Sequence, residues 1–354
     1  MVATVLQTIR HFIGYNWAAL AITLTCVSLG VWFALVLARY VGIALNLFLD
    51  TTAPLSPGPA AYGRIHGDTV RFHSLDGTPL AGMWLWAPDR RASRGTVVFL
   101  HEFGCDRYSC VRYARPLLRA GYNLFAFDFR NHGASTETEG YRPLQWASNR
   151  ELADALGATA YVAQRLIDEG LPARLGLFGI SRGAALAVLA AEADPNVRAL
   201  ICDGAFSTEA VCISMMKRWA RIFARIRLAY ENHPPFFWRM MAWAVIKRAQ
   251  CRTGCRYPSV QRCLRRLRRT PIFFIHGRRD SYIDPALARV LHAAAAPPKR
   301  LWLVHGARHN QAAVVAPEAY ARRTISFFDR YLADGPGVAK KRPRRAMAVG
   351  AGGR

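Results

Sequence analysis

Gly179-Ile180-Ser181-Arg182-Gly183 stands between an apolar run, Leu175-Gly176-Leu177-Phe178, and a helix-forming run over residues 184–191. Where a strand turns that sharply into a helix, both flanking positions must be small, because larger side chains collide across the reversal. The same turn pushes the serine hydroxyl out above the sheet. The pentapeptide therefore constrains the chain to an α/β arrangement and makes Ser181 the candidate nucleophile. A purely structural Gly-rich turn can share this spelling, so the rest of the chain must decide.

A serine hydroxyl is a poor nucleophile at neutral pH. It needs a general base, and the base needs a carboxylate to hold its tautomer and stabilise its charged form. The run Pro271-Ile272-Phe273-Phe274-Ile275 reads as a buried strand and leads into His276-Gly277-Arg278-Arg279-Asp280, which makes Asp280 the candidate acid. The next strand-like run, Leu301-Trp302-Leu303-Val304, leads into His305-Gly306-Ala307-Arg308-His309, and His309 is the candidate base. A tetrahedral intermediate also needs N–H donors for its oxyanion. Thr96-Val97-Val98-Phe99-Leu100 is a strand by composition, followed by His101-Glu102-Phe103-Gly104. The backbone amides of Phe103 and of Arg182, the residue after the nucleophile, form the expected pair, their side chains mattering less.

These motifs, with Asp128-Phe129-Arg130-Asn131-His132-Gly133-Ala134-Ser135, follow one another in an order that resembles the α/β-hydrolase superfamily over roughly residues 70–332. Lid-bearing esterases, monoacylglycerol-lipase-like enzymes and serine aminopeptidases are the similar branches. The resemblance implies a mostly parallel central sheet flanked by helices, with a helical lid insertion. One departure stands out: the family usually has His-Gly where this chain has His101-Glu102. A carboxylate there opposes the developing negative charge unless it points away or pairs with an arginine such as Arg182. Rival assignments are His132 for the base and Asp284 or Asp203 for the acid, while His101 and His276 read as structural histidines at strand ends. The His-Gly-x-x-Asp spacing favours Asp280.

From residue 17 to residue 38 the chain carries no charge, and about 20 apolar residues suffice to cross a bilayer as a helix. Trp17 at one end, with Arg39 and Tyr40 at the other, supplies interfacial residues. The apolar stretch is too long for a signal-peptide core and no clear small-x-small cleavage site follows, so an uncleaved, single-pass signal anchor is expected. Residues 41–49 read as an interfacial continuation of the helix. Arg10 balances Arg39 across the span, which leaves the side of the catalytic domain open.

With the anchor (1–50) and a Pro/Gly/Ala-rich linker (51–62) set aside, one α/β domain remains, in two parts (63–206 and 271–333) around an insertion (207–270) and ahead of a basic tail (334–354). The net charge is +25, and the insertion alone holds fifteen Lys and Arg against two Glu. Within it Trp219, Ile222, Phe223 and Ile226 follow helical spacing, with Arg218, Arg221 and Arg225 on other faces. Phe236, Phe237, Trp238, Met240, Met241, Trp243, Val245 and Ile246 come after. Either these residues cap the core, or they form a lid whose apolar face meets acyl chains while its arginines meet anionic headgroups. The tail, with Lys340-Lys341-Arg342-Pro343-Arg344-Arg345, has too few apolar residues to fold alone. A span near the amino terminus makes membrane lipid a closer polyanion than nucleic acid, for which no binding fold is visible. Cys251, Cys255 and Cys263 lack a fourth zinc ligand, and no metal or cofactor is implied. Cys251 and Cys255 pair only if the domain faces an oxidising compartment. The expectation is a membrane-anchored serine hydrolase acting on acyl esters or thioesters, with a peptidase of the same fold, an acyltransferase or a non-catalytic binding protein as alternatives.

Overall fold

The computed structural model describes residues 2–50, 61–90, 92–223 and 233–333. Most of the expected linker (51–60), the amphipathic stretch beyond Phe223 with Arg225 and Ile226, and the basic tail (334–354) lie outside the described residues. The chain divides into two compact units, residues 1–51 with 212–255, and residues 52–211 with 256–354.

The larger unit is built on an eight-stranded sheet in the order β1-β2-β4-β3-β5-β6-β7-β8. Its strands are β1 (Asp68–His73), β2 (Pro79–Leu85), β3 (Thr96–Leu100), β4 (Asn123–Phe127), β5 (Leu175–Ile180), β6 (Val197–Asp203), β7 (Ile272–Gly277) and β8 (Lys299–Val304). The β1/β2 and β2/β4 pairs are antiparallel, and all other pairs are parallel. Parallel strands need crossover helices, and helices on both faces bury both sides of each strand, which explains the unbroken apolar runs. Alternation along the strand then sorts side chains by face: Val98 and Leu100 of β3 enter one core cluster, Val97 and Phe99 the other. The first core also takes side chains of α4 (Asn149–Asp168), α5 (Arg182–Ala193), α8 (Val260–Arg266) and α9 (Pro285–Ala294). The second takes α2 (Cys110–Tyr113), α3 (Arg115–Arg119), α10 (Ala312–Val315) and α11 (Pro317–Phe328). Every candidate site residue lies at or just beyond the carboxyl end of a strand, where open α/β sheets present their crevices.

The smaller unit consists of α1 (Val2–Asp50) with most of α6 (Thr208–Phe223) and α7 (Pro235–Thr253). Residues 17–50 of α1 are long and apolar enough to cross a membrane, with Trp17, Leu24, Leu29, Trp32 and Leu35 exposed. Toward its end, Val41, Ala44, Leu45 and Phe48 repeat at helical spacing and are buried, and α1 packs against α7. On α7 the residues alternate between a buried stripe, Trp238, Met241, Ala242, Val245 and Ala249, and an exposed one, Phe236, Arg239, Met240, Trp243 and Lys247. Cys251 is an exposed thiol on α7 and Cys255 a buried thiol beyond it, with no disulfide between them.

Candidate active site

Ser181 occupies the single residue between the end of β5 and the start of α5, with φ 52° and ψ −113°. A positive φ is strained for any residue with a Cβ, and it persists only where the surroundings over-determine it. Here they do. The Ser181 N–H donates to the carbonyl of Asp203 (2.7 Å), and the Ser181 carbonyl accepts from Ala184 and Ala185 (3.0 and 3.1 Å). A Cβ on Gly179 would stand 2.3 Å from the Gly183 carbonyl oxygen, and one on Gly183 would stand 2.1 Å from that of Leu100. Both glycines are therefore dictated by the tightness of the turn.

The loop beyond β8 carries His309 to the serine, Nε2 lying 2.9 Å from Ser181 Oγ. The loop beyond β7 brings Asp280, whose Oδ2 lies 2.6 Å from His309 Nδ1. The other oxygen, Oδ1, accepts from the backbone N–H groups of Tyr282 (2.9 Å) and Ile283 (2.8 Å). Burial opposes ionisation of Asp280, but hydrogen bonds from His276 and His309 outweigh it and hold the carboxyl well below the usual carboxylate range. An ionised Asp280 accepts only, so the Nδ1 of His309 carries a proton and Nε2 presents its lone pair to the serine hydroxyl. All three side chains are buried yet reach one another from loops 29 and 128 residues apart in sequence.

The rival residues have other engagements. His132 contacts the Arg130 carbonyl through Nδ1 (2.8 Å), and its Nε2 accepts from Arg182 (3.2 Å). Burial first, then the charge of Arg182, lowers its pKa to about 3. His101 accepts from the Phe129 N–H at Nε2 (3.1 Å), so its Nδ1 donates to the Glu102 carbonyl (2.7 Å). Asp284 caps α9 through the N–H of Ala286 (2.8 Å). Asp203, at the end of β6, accepts from the Tyr320 hydroxyl (2.8 Å).

Glu102 points away from the serine and does not pair with Arg182. Its carboxylate is 1% exposed and accepts from Tyr62 (2.6 Å), Ser109 (3.0 Å) and Tyr113 (3.4 Å). The side chain of Arg182 carries more than the sequence suggested. Fully buried, it donates to the Leu144 carbonyl (3.0 Å), approaches Glu151 (3.7 Å) and stacks over the rings of Phe103 (5.0 Å) and Phe129 (5.3 Å). It thus ties the turn bearing Phe103 to the residue that follows the serine. Arg182 also opens α5, so its N–H has no partner within the helix ladder.

Two side chains, Tyr282 and Gln145, escaped the sequence reading, and His276, read there as structural, stands against the acid. His276 Nε2 lies 3.1 Å from Asp280 Oδ2, giving the acid a second histidine. Tyr282 stacks edge-on against His309 (5.5 Å between centroids), and its hydroxyl donates to Gln145 Oε1. The buried Nε2 of Gln145 has no partner among the described residues. Only the position of His276, four residues before Asp280, could have been noticed in sequence. Gln145 stands 137 residues from Tyr282.

Residues 91–312 match the family model described as "Serine aminopeptidase, S33". Among curated relatives, the uncharacterized protein YfhR of Escherichia coli O157:H7 is 25% identical over 251 residues, 69% of this chain and 74% of that protein. The uncharacterized protein Rv2307c of Mycobacterium tuberculosis is 27% identical over 246 residues, 69% and 73% of the two chains. Among solved structures, the Pyrococcus furiosus esterase Pf2001 superposes with a TM-score of 0.55 at 21% identity, covering 79% of this chain and 96% of its own. That likeness is one of fold.

Proposed function

The chain belongs to the serine aminopeptidase S33 family within the α/β-hydrolase superfamily, and from that premise we propose that it is a membrane-anchored serine hydrolase cleaving carboxylic esters or thioesters of acyl lipids. One observation carries the reading: the unbroken relay from Ser181 Oγ to His309 Nε2 (2.9 Å) and from His309 Nδ1 to Asp280 Oδ2 (2.6 Å). In the proposed mechanism Ser181 attacks the carbonyl carbon as His309 takes its proton, while Asp280 keeps the imidazole oriented and offsets its new charge. The amides of Phe103 and Arg182 hold the oxyanion. His309 returns the proton to the leaving alcohol or thiol, then activates water to release the acid from the acyl-enzyme.

The lipid part of the reading is supported by α1, whose exposed apolar length suits a bilayer, and by the exposed stripe of α7, in which Phe236, Met240 and Trp243 stand among Arg239 and Lys247. Large apolar rings bordered by cations suit the boundary between acyl chains and anionic headgroups. We place residues 207–270 in the role of a lid on the same grounds. The family's description keeps a second reading, an anchored aminopeptidase using the same relay.

The test is labelling of membranes carrying the protein with a fluorophosphonate probe. Wild type is expected to label, and Ser181→Ala and His309→Ala to fall to background. A well-folded wild type that does not label would overturn the hydrolase reading and favour a binding protein. Turnover of amino-acyl amides in preference to acyl esters would select the peptidase.

A further inference from the structure

Glu102, the residue that departs from the family pattern, sits inside the loop that supplies the proposed oxyanion donor. Glu102 belongs to the peptide unit whose N–H is that of Phe103, the oxyanion donor of the proposed mechanism, on which this inference rests. A trans peptide is planar, with its C=O and N–H directed oppositely, so fixing one end aims the other. The carbonyl end is held by His101. Because His101 Nε2 accepts from Phe129, the proton sits on Nδ1 and donates to the Glu102 carbonyl at 2.7 Å. Burial first, and then the charge of Arg182, keeps that ring neutral by lowering its pKa well below the ordinary value, so the donor survives across the working pH range.

One contact fixes the tilt of a peptide plane poorly, and the Cα at residue 102 supplies a second. The Glu102 side chain leaves the peptide on the side of the second core, where Tyr62 donates to Oε1 (2.6 Å) and Ser109 to Oε2 (3.0 Å). Tyr113 shares its hydroxyl hydrogen between Oε1 (3.4 Å) and the carbonyl of Asn310 (3.1 Å), the residue after the general base of the proposed mechanism. A buried carboxylate with donors on both oxygens is satisfied and rigid, whereas one with a donor removed is costly. We propose that Glu102 is a positioning residue for the Phe103 oxyanion donor, and that Tyr62, arriving from the segment ahead of β1, holds Glu102 in place. The carboxylate that seemed to oppose an oxyanion instead steadies the amide that binds it, and residues outside the matched family region take part in building the site.

The experiment uses full-length protein and three variants, Tyr62→Phe, Glu102→Gln and Glu102→Ala, each with its melting temperature. Steady-state turnover of a short acyl ester is read beside affinity for a trifluoromethyl ketone, which forms a tetrahedral adduct and so senses the oxyanion site. Loss of one whole oxyanion donor typically costs ~10²–10³ in kcat, so a mis-aimed one is expected to cost about tenfold in Tyr62→Phe and about a hundredfold in Glu102→Ala. KM is expected within about twofold of wild type, with ketone affinity falling in step with kcat. Glu102→Gln keeps an oxygen for Tyr62 and is expected to recover most of the loss. Folded variants with unchanged kcat and ketone affinity would overturn the proposal, as would losses that follow only the folded fraction. A wild type that neither labels nor turns over removes the oxyanion site itself and this inference with it, whereas an active wild type with unaltered variants overturns the inference alone.

Discussion

Asp280 and Asp203 end neighbouring stretches of the sheet, and their surroundings push them in opposite directions. Two histidines and two backbone amides keep Asp280 charged. Asp203 has one side-chain donor, Tyr320, and burial pushes its pKa up to about 7. Spacing in the sequence favoured Asp280, the member of this pair that lies against His309. It could not show why, because the Tyr320 that engages Asp203 comes from a helix 117 residues away. The raised value has a consequence for stability. Between roughly pH 4, where an ordinary aspartate ionises, and pH 7, the folded protein keeps a proton that the unfolded chain has released. Stability from this group is therefore full below about pH 4 and declines as pH rises through about 7. Asn mimics the protonated acid and still accepts from Tyr320. Urea unfolding of wild type and Asp203→Asn in detergent should give similar stabilities at pH 4.5, with wild type falling behind by on the order of 2–4 kcal/mol at pH 8. Parallel curves across that range would show that Asp203 ionises normally.

At the scale of elements, what was legible follows from burial. β3, β4, β5 and β7 are covered on both faces, so each appears as an uninterrupted apolar run that needs no periodicity to be seen. β1 is mostly exposed, pairs with one strand only, and reads Asp-Thr-Val-Arg-Phe-His, a spelling with little apolar signal. α8 was hidden differently. Its Val260 and Leu264, with Leu267 just beyond, join the first core, but the exposed arginines 262, 265, 266, 268 and 269 dominate the composition there. Sequence placed it in the insertion, while the compact units change over at 255/256 and leave it with the sheet. The turn at Ser181, the elbow between β5 and α5, was legible because sterics leave it almost no freedom. A Cβ added at Gly183 would meet the Leu100 and His101 carbonyl groups, which are backbone and cannot swing aside. Gly183→Ala should therefore force α5 off β3, costing roughly 2–4 kcal/mol and most fluorophosphonate labelling. Gly63→Ala, where a Cβ meets nothing within 4 Å, should leave both within experimental scatter. Equal behaviour of the two variants would refute the packing argument for the elbow.

At the scale of the whole molecule the proposed anchoring would draw on two attractions toward a membrane, which differ in their response to salt. Residues 17–38 carry no charge, and exposed Trp17, Leu29, Trp32 and Leu35 would leave a large apolar surface in water. A helix of that kind is held by hydrocarbon, which salt does not weaken. In the same proposal the net charge of +25 would act through the surface potential of anionic lipid, which fades within a Debye length, about 10 Å at 0.1 M salt and 3 Å at 1 M. If both operate, each can be removed separately. Full-length protein should stay in the membrane pellet through 1 M salt and alkaline carbonate and leave only with detergent. A variant lacking residues 1–38 should bind vesicles containing phosphatidylglycerol at low salt, release at high salt, and ignore neutral phosphatidylcholine. That variant keeps Val41, Ala44, Leu45 and Phe48, the buried stripe of α1, and the pairing of α1 with α7 is expected to survive the deletion. Extraction of the full-length chain by carbonate would show that residues 17–38 do not span, and intact-mass measurement would then decide whether they had been cleaved as a signal sequence. Binding of the shortened chain to neutral vesicles as strongly as to anionic ones would instead assign the residual affinity to the apolar stripe of Phe236, Met240 and Trp243, and set the basic residues aside.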